Sequence, residues 1–220
     1  MDAGIKLVMG IPVSDPLPSS WLGKRDAPPG VPMWALIPGL STTQIRNLIA
    51  QIGYNKSQWD YSKVGNDNRL GRYQFASDVL EGYGLLVPGA NAEYGSDCVN
   101  YSHCWSPQYV RRASTSYSSY MYNTTSLSGF LTNTIAQEHL AYQYLYDLYT
   151  NMTKIRAITL DDNPETLGGM LYVGWELGSG TAITHESSIG AGAYAWRYSG
   201  AGNGSAAFVA GKYATGALSL

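Results

Sequence analysis

A mainly α fold is expected from three stretches of this sequence. Residues 45–52 carry Ile45, Leu48, Ile49 and Ile52 at the i, i+3, i+4, i+7 spacing of one helical face. Phe130 to Tyr149 repeats the pattern with Leu131, Ile135, Leu145, Leu148 and several tyrosines. From Pro164, which suits a first helical turn, a run rich in small and apolar residues continues to a stop at Gly178.

The elements in chain order begin with an arm. Residues 1–40 hold seven prolines, Pro12, Pro16, Pro18, Pro28, Pro29, Pro32 and Pro38, which forbid a long helix and favour extended segments. Trp21, Val31, Met33 and Trp34 supply apolar anchors, so 1–40 reads as an extended N-terminal docking arm. Residues 41–220 then form one domain, for which a 23.8 kDa chain of 220 residues is long enough. Ser41 followed three residues later by Gln44 is a capping-box signature, so a helix starts near Thr42. Lys56 is the next member of its apolar stripe unless Gly53 ends the helix earlier. A charge aimed at the interior must be paired or line a wet cleft.

Beyond a polar loop, Phe75 to Leu86 reads as a helix with Phe75, Val79, Leu80 and Tyr83 on one face and Gly84 as its stop. Its Asp78 and Glu81 fit a solvated face, with service as a substitute acid the sharper alternative. A Ser/Tyr/Gly-rich insertion follows around 90–125. Cys98, His103 and Cys104 lie within seven positions there, but no second ligand pair is near, and His139 and His185 are isolated, so no metal and no cofactor is assigned. The two cysteines are expected as free thiols in a cytoplasm, and a Cys98–Cys104 disulfide is open to them in an oxidising exterior. Tyr109, Arg111 and Arg112 make a short basic spot of ordinary surface character. The strong helix of Phe130 to Tyr149 contains Gln137 and Glu138, and a brief helix is expected over Ile155 to Leu160.

Only 14% of residues are charged and the net charge is −2, which disfavours a nucleic-acid partner bound through phosphates. No apolar run is long enough to span a bilayer, and no leader is read at the start, so synthesis in a cytoplasm is expected. Eighteen tyrosines and six tryptophans against three phenylalanines suit sugar-stacking surfaces or protein interfaces, and equally a Tyr-rich core.

The loop itself carries the most specific signal. Lys56-Ser57 at a helix end, then Trp59-Asp60-Tyr61-Ser62-Lys63-Val64-Gly65, then Gly71-Arg72-Tyr73-Gln74-Phe75, resembles the lysozyme-like domain of soluble lytic transglycosylases and phage tail lysozymes. The likeness is close for about twenty residues of the motif and weaker over 41–215. It implies an α+β lysozyme-like fold with a small polar loop or β region around Asn66 to Gln74, next to the cleft. It also implies a virion protein of a contractile-tailed phage, including those of cyanobacteria, with other tail or baseplate subunits and peptidoglycan as partners. Ser57, Tyr73 and Gln74 would then line the sugar site. In the tail of the chain, Tyr194, Trp196 and Gly202 to Gly204 precede Phe208-Val209, which stand where active relatives tend to carry Tyr-Asn-x-Gly. The family's general acid is a Glu, and Lys56 occupies its place. Glycosidic cleavage needs a carboxylic acid of raised pKa, a task an ammonium fills poorly at neutral pH. The expectation is therefore a structural protein that has lost the reaction. The alternatives are a hydrolase using Asp60, Asp67 or Glu81, and a pure glycan-binding module.

Overall fold

The computed structural model describes residues 6–8, 11–13, 37–107, 124–177, 197 and 205–216. Tyr109, Arg111, Arg112, His185, Tyr194, Trp196 and most of the arm lie outside them. The described residues are mainly α, with seven α-helices: α1 Thr42–Ser57, α2 Ser77–Gly82, α3 Ala90–Tyr94, α4 Leu127–Thr132, α5 Thr134–Lys154, α6 Pro164–Leu177 and α7 Ser205–Gly216. In the arm, β1 Lys6–Val8 pairs antiparallel with β2 Ile11–Val13, with Leu7 opposite Pro12. The chain divides into two compact units. The first takes in residues 37–55, 142–177 and 205–216, and the second residues 56–107 and 124–141.

In the first unit, α1 begins as its sequence dictates. Gln44 Oε1 accepts from the Ser41 amide at 2.8 Å, and Ser41 Oγ accepts from the Gln44 amide at 3.2 Å, which closes the capping box. Ile45, Leu48, Ile49 and Ile52 are all buried. Gly53 does not end the helix, which runs on to Ser57. Gln44 Nε2 also donates to the Thr215 carbonyl at 2.7 Å, tying α1 to the end of α7. Helices α6 and α7 pack backbone to backbone. A Cβ at Gly211 would lie 2.9 Å from Gly169 Cα, and one at Gly168 would lie 2.9 Å from the Gly211 carbonyl oxygen. Only glycine permits that approach, and the close packing of the two helices outweighs a propensity cost of up to about 1 kcal/mol per glycine.

Several boundaries differ from the sequence expectation. The helix expected from Phe130 is two helices, because Asn133 (φ −90°, ψ 82°) leaves helical geometry and its Oδ1 accepts from the Ala136 amide at 3.0 Å as a cap for α5. No helix forms over 155–160. There Arg156 takes φ +61°, and the amides of Ala157 and Ile158 both bond the Met152 carbonyl, at 2.8 and 3.1 Å, which wraps the chain back over the end of α5. Asn163 Oδ1, accepting from the Thr166 amide, then starts α6. The expected Phe75–Leu86 helix contracts to α2. It is closed by a Schellman turn in which Leu85 N bonds Leu80 O (2.8 Å) and Gly84 N bonds Glu81 O (2.8 Å), with Gly84 at φ +73°.

In the second unit the polar segment from Val64 to Phe75 is a compact loop. Bridges pair Val64 with Leu70 and Leu70 with Phe75, the small β character expected there. The described part of the expected insertion, 90–107, is built of α3 and two 3-10 turns, Gly95–Asn100 and Ser102–Cys104. Cys98, Val99, Cys104 and Trp105 are buried beneath it, and both thiols are free. Among the described residues no helix is long and apolar enough to cross a membrane.

Candidate functional site

Helix α1 delivers Lys56 and Ser57 to the start of the loop in the second unit. Gln58 and Trp59 follow at φ +58° and +65°, two successive left-handed residues that turn the chain sharply away from the helix axis. Ser57 is buried, and its hydroxyl donates to the Arg72 carbonyl at 2.7 Å, so the helix end and the far side of the loop are pinned together. Lys56 is half-buried, and its carbonyl accepts from Lys63 Nζ at 3.2 Å.

Gly71 and Gln74 shape the turn. Gly71 takes φ +73°, and a Cβ there would overlap the Gln137 amide. Gln74 (φ +54°) turns its side chain inward, donating from Nε2 to the carbonyls of Gly71 (2.9 Å) and Lys63 (3.3 Å), and it fills the space where Gly65 has no Cβ. Gln74 is thus a lock on the loop rather than a side chain presented outward. Gln137 of α5 holds the same loop from behind. It accepts from the Arg72 amide at 2.9 Å and donates to the carbonyls of Tyr61 (3.1 Å) and Phe130 (3.0 Å).

Beneath the loop lies a charged cluster that the sequence reading did not assemble. Arg72 and Glu138 are each only 1% exposed, with Nη1 and Oε1 3.2 Å apart. Tyr61 and Tyr73 donate to the same Glu138 oxygen at 2.7 and 2.6 Å, and Arg72 Nη1 donates to the Tyr61 hydroxyl at 2.6 Å. The guanidinium lies over both tyrosine rings, 5.1 and 5.5 Å from their centroids. Burial, and after it the Glu138 carboxylate, pushes both phenols far above their usual range, so each remains a donor. Burial works against the Arg72 charge, but the Tyr73, Glu138 and Tyr61 oxygens outweigh it and hold the guanidinium more firmly protonated than usual. Tyr73 is buried and spent on this cluster. The only advance signal was a Gln-Glu pair inside an apolar helix.

Asp60 and Glu81, two other carboxylates of this unit, are committed to local hydrogen bonds. Asp60 accepts from the Ser62 hydroxyl (2.7 Å) and amide (2.8 Å), bonds that hold its carboxyl below the usual range, the reverse of what a general acid requires. Glu81 places one oxygen on the Gly89 amide (2.8 Å) and the other on the Asn91 amide (2.7 Å), capping the start of α3. Asp67 is an exposed turn residue at φ +53°, and Asp78 sits in the first turn of α2, where a carboxylate suits the helix dipole.

Lys56, Ser57, Tyr73 and Gln74 thus belong to one unit, brought together by the loop. Phe208 and Val209 belong to the other. There, on α7, both are half-buried, and a Cβ added at Gly169 would lie 2.5 Å from the Phe208 ring, so that side chain packs on α6. Among the described residues no three His, Cys, Asp or Glu side chains gather to hold a metal. Compared with protein-family profiles, curated proteins and solved structures, the chain finds no match in any of the three.

Proposed function

We propose that this protein is a non-catalytic structural subunit of a phage tail or baseplate, a lysozyme-like domain in which Lys56 has replaced the general acid. The observation that carries the reading is the state of the carboxylates around the motif loop. Asp60 is held as an anion by Ser62, Glu81 caps α3 with both oxygens, and Glu138 is enclosed with Arg72 and two tyrosines. Each of the three is engaged by its own partners rather than left free to protonate a leaving sugar oxygen. The loop is nonetheless fully braced, which suits a fold retained for shape. Its partners would be other tail or baseplate subunits, with peptidoglycan as a surface the assembly meets.

Digestion of purified peptidoglycan by the wild-type chain beside Lys56→Glu tests this. The wild type should release no soluble fragments. Release that disappears in Asp60→Asn or Glu81→Gln would establish a hydrolase instead. Antibody against the chain should label the tail of purified particles.

A further inference from the structure

The described part of the 90–107 segment carries a feature that the proposed function does not use. Tyr94, Tyr101 and His103 form one exposed aromatic group. Tyr94 and Tyr101 are 37% and 42% exposed, and His103 is exposed as well. Their ring centroids lie 5.3 Å (Tyr94 to Tyr101), 5.4 Å (Tyr94 to His103) and 5.7 Å (Tyr101 to His103) apart, the last pair within 17° of parallel. The backbone beneath the rings is braced. The Tyr101 and Cys104 amides bond the Cys98 and Tyr101 carbonyls, Trp105 Nε1 donates to the Val99 carbonyl at 2.8 Å, and Val87 and Ser106 tie the segment to the stretch after α2. Buried Cys98, Val99, Cys104 and Trp105 form the underside. Asn68 Nδ2 donates to Asp97 Oδ1 at 2.7 Å, joining the platform to the motif loop within the same unit.

The charge around the rings selects among occupants. Residues 90–107 contain no Lys or Arg, and the two charged side chains are Glu93 and Asp97, the first exposed and the second at the surface beside Asn68. To a phosphate backbone, or to the carboxylates of peptidoglycan stem peptides, this segment offers two like charges and no cation. A neutral polyol meets no such repulsion from it. Its C–H faces lie against aromatic rings, and its hydroxyls donate to carboxylates and to the exposed Asn100 and Ser102. We propose that Tyr94, Tyr101 and His103 are a stacking platform for a neutral glycan chain, a binding site separate from Lys56 and independent of whether the motif loop ever cuts or binds peptidoglycan.

The test is titration of the full chain with two neutral probes, an N-acetylglucosamine oligomer and a malto-oligosaccharide, followed by calorimetry and by chemical-shift mapping. At least one probe should bind at up to millimolar concentration and shift the resonances of residues 94–103. Tyr101→Ala with His103→Ala should weaken binding about tenfold or more, the scale expected for lost ring stacking, while Tyr101→Phe retains it. Melting curves of all variants confirm that they fold. Shifts confined to residues 94–103, with none over the motif loop 56–75, separate this site from the reading of the acid position. No binding of either probe, binding unaffected by the double substitution, or capture of oligothymidylate in place of the glycans would each overturn the proposal. So would self-association that protects the three rings.

Discussion

The α6–α7 contact and the motif loop bury backbone by opposite means. Between α6 and α7 the fit where Gly168, Gly169 and Gly211 meet depends on absent side chains. In the loop the chain is held by named polar groups: Ser57 on Arg72, Gln74 on Gly71 and Lys63, Gln137 on Tyr61 and Arg72, Glu138 on Tyr61 and Tyr73. The first region is sensitive to added volume and the second to a lost partner. Leu70 and Phe75 anchor one end of the loop in the core, and the polar stretch between depends on its hydrogen bonds.

The largest effect should come from the polar side. Glu138→Ala leaves the Arg72 guanidinium buried without its carboxylate and should cost about 3–5 kcal/mol, read by denaturant unfolding. Pairing it with Arg72→Met should recover much of that loss. If the double variant is no more stable than the single one, the cluster acts through packing and the contrast between the regions fails. Next comes the apolar side. Gly211→Ala forces a methyl group to within 2.8 Å of the Gly168 carbonyl carbon, and separating α6 from α7 should cost about 1–3 kcal/mol. Replacing Gly89, whose Cβ position is open and whose φ is +90°, tests backbone strain alone, since an added methyl there meets no neighbour.

A pH titration sharpens the comparison further. Burial pushes His139, one residue beyond Glu138 on α5, down to about 4 from 6.5. As pH falls below 6.5 the unfolded chain takes up this proton first. Stability is therefore complete above that value and declines between 6.5 and about 4, by on the order of 2 kcal/mol. His139→Gln should flatten that part of the stability curve. The smallest effect is expected at the α1 cap, where Ser41→Ala removes one side of the capping box and should lower the melting temperature by the equivalent of about 1 kcal/mol.

Much of this arrangement was legible beforehand. The Ser41–Gln44 box, the isoleucine stripe of α1, the Pro164 start of α6 and the Gly84 stop of α2 are all written in residues within a few positions of one another. Local rules were enough because cap geometry and helical spacing involve only near neighbours. They failed at Asn133 and over 155–160. At Asn133 a single side chain accepting from the Ala136 amide broke an otherwise continuous apolar pattern. Over 155–160, burial of Ala157 and Ile158 against the end of α5 overrode local helix tendency. Helix α7 was also hidden, because its glycines look like breakers until α6 lies against them.

The loop shows where short-range pattern stops informing. Its glycines, its Gln74 and the position of Lys56 could be picked out from the chain alone, and so could the lysine at the helix end where a carboxylic acid was expected. That Gln74 faces inward, that Tyr73 is enclosed, and that Gln137 and Glu138 are the groups both loop and tyrosines converge on required the fold. Those partners lie 65 residues from Arg72 and Tyr73 in sequence. The same holds for the aromatic group of Tyr94, Tyr101 and His103, whose rings were visible as composition but came together only when the end of α3 and the turns after it brought their centroids to 5.3–5.7 Å. Backbone propensity acts over one or two helical turns, whereas the desolvation that turns a carboxylate into a buried anchor depends on every element packed around it.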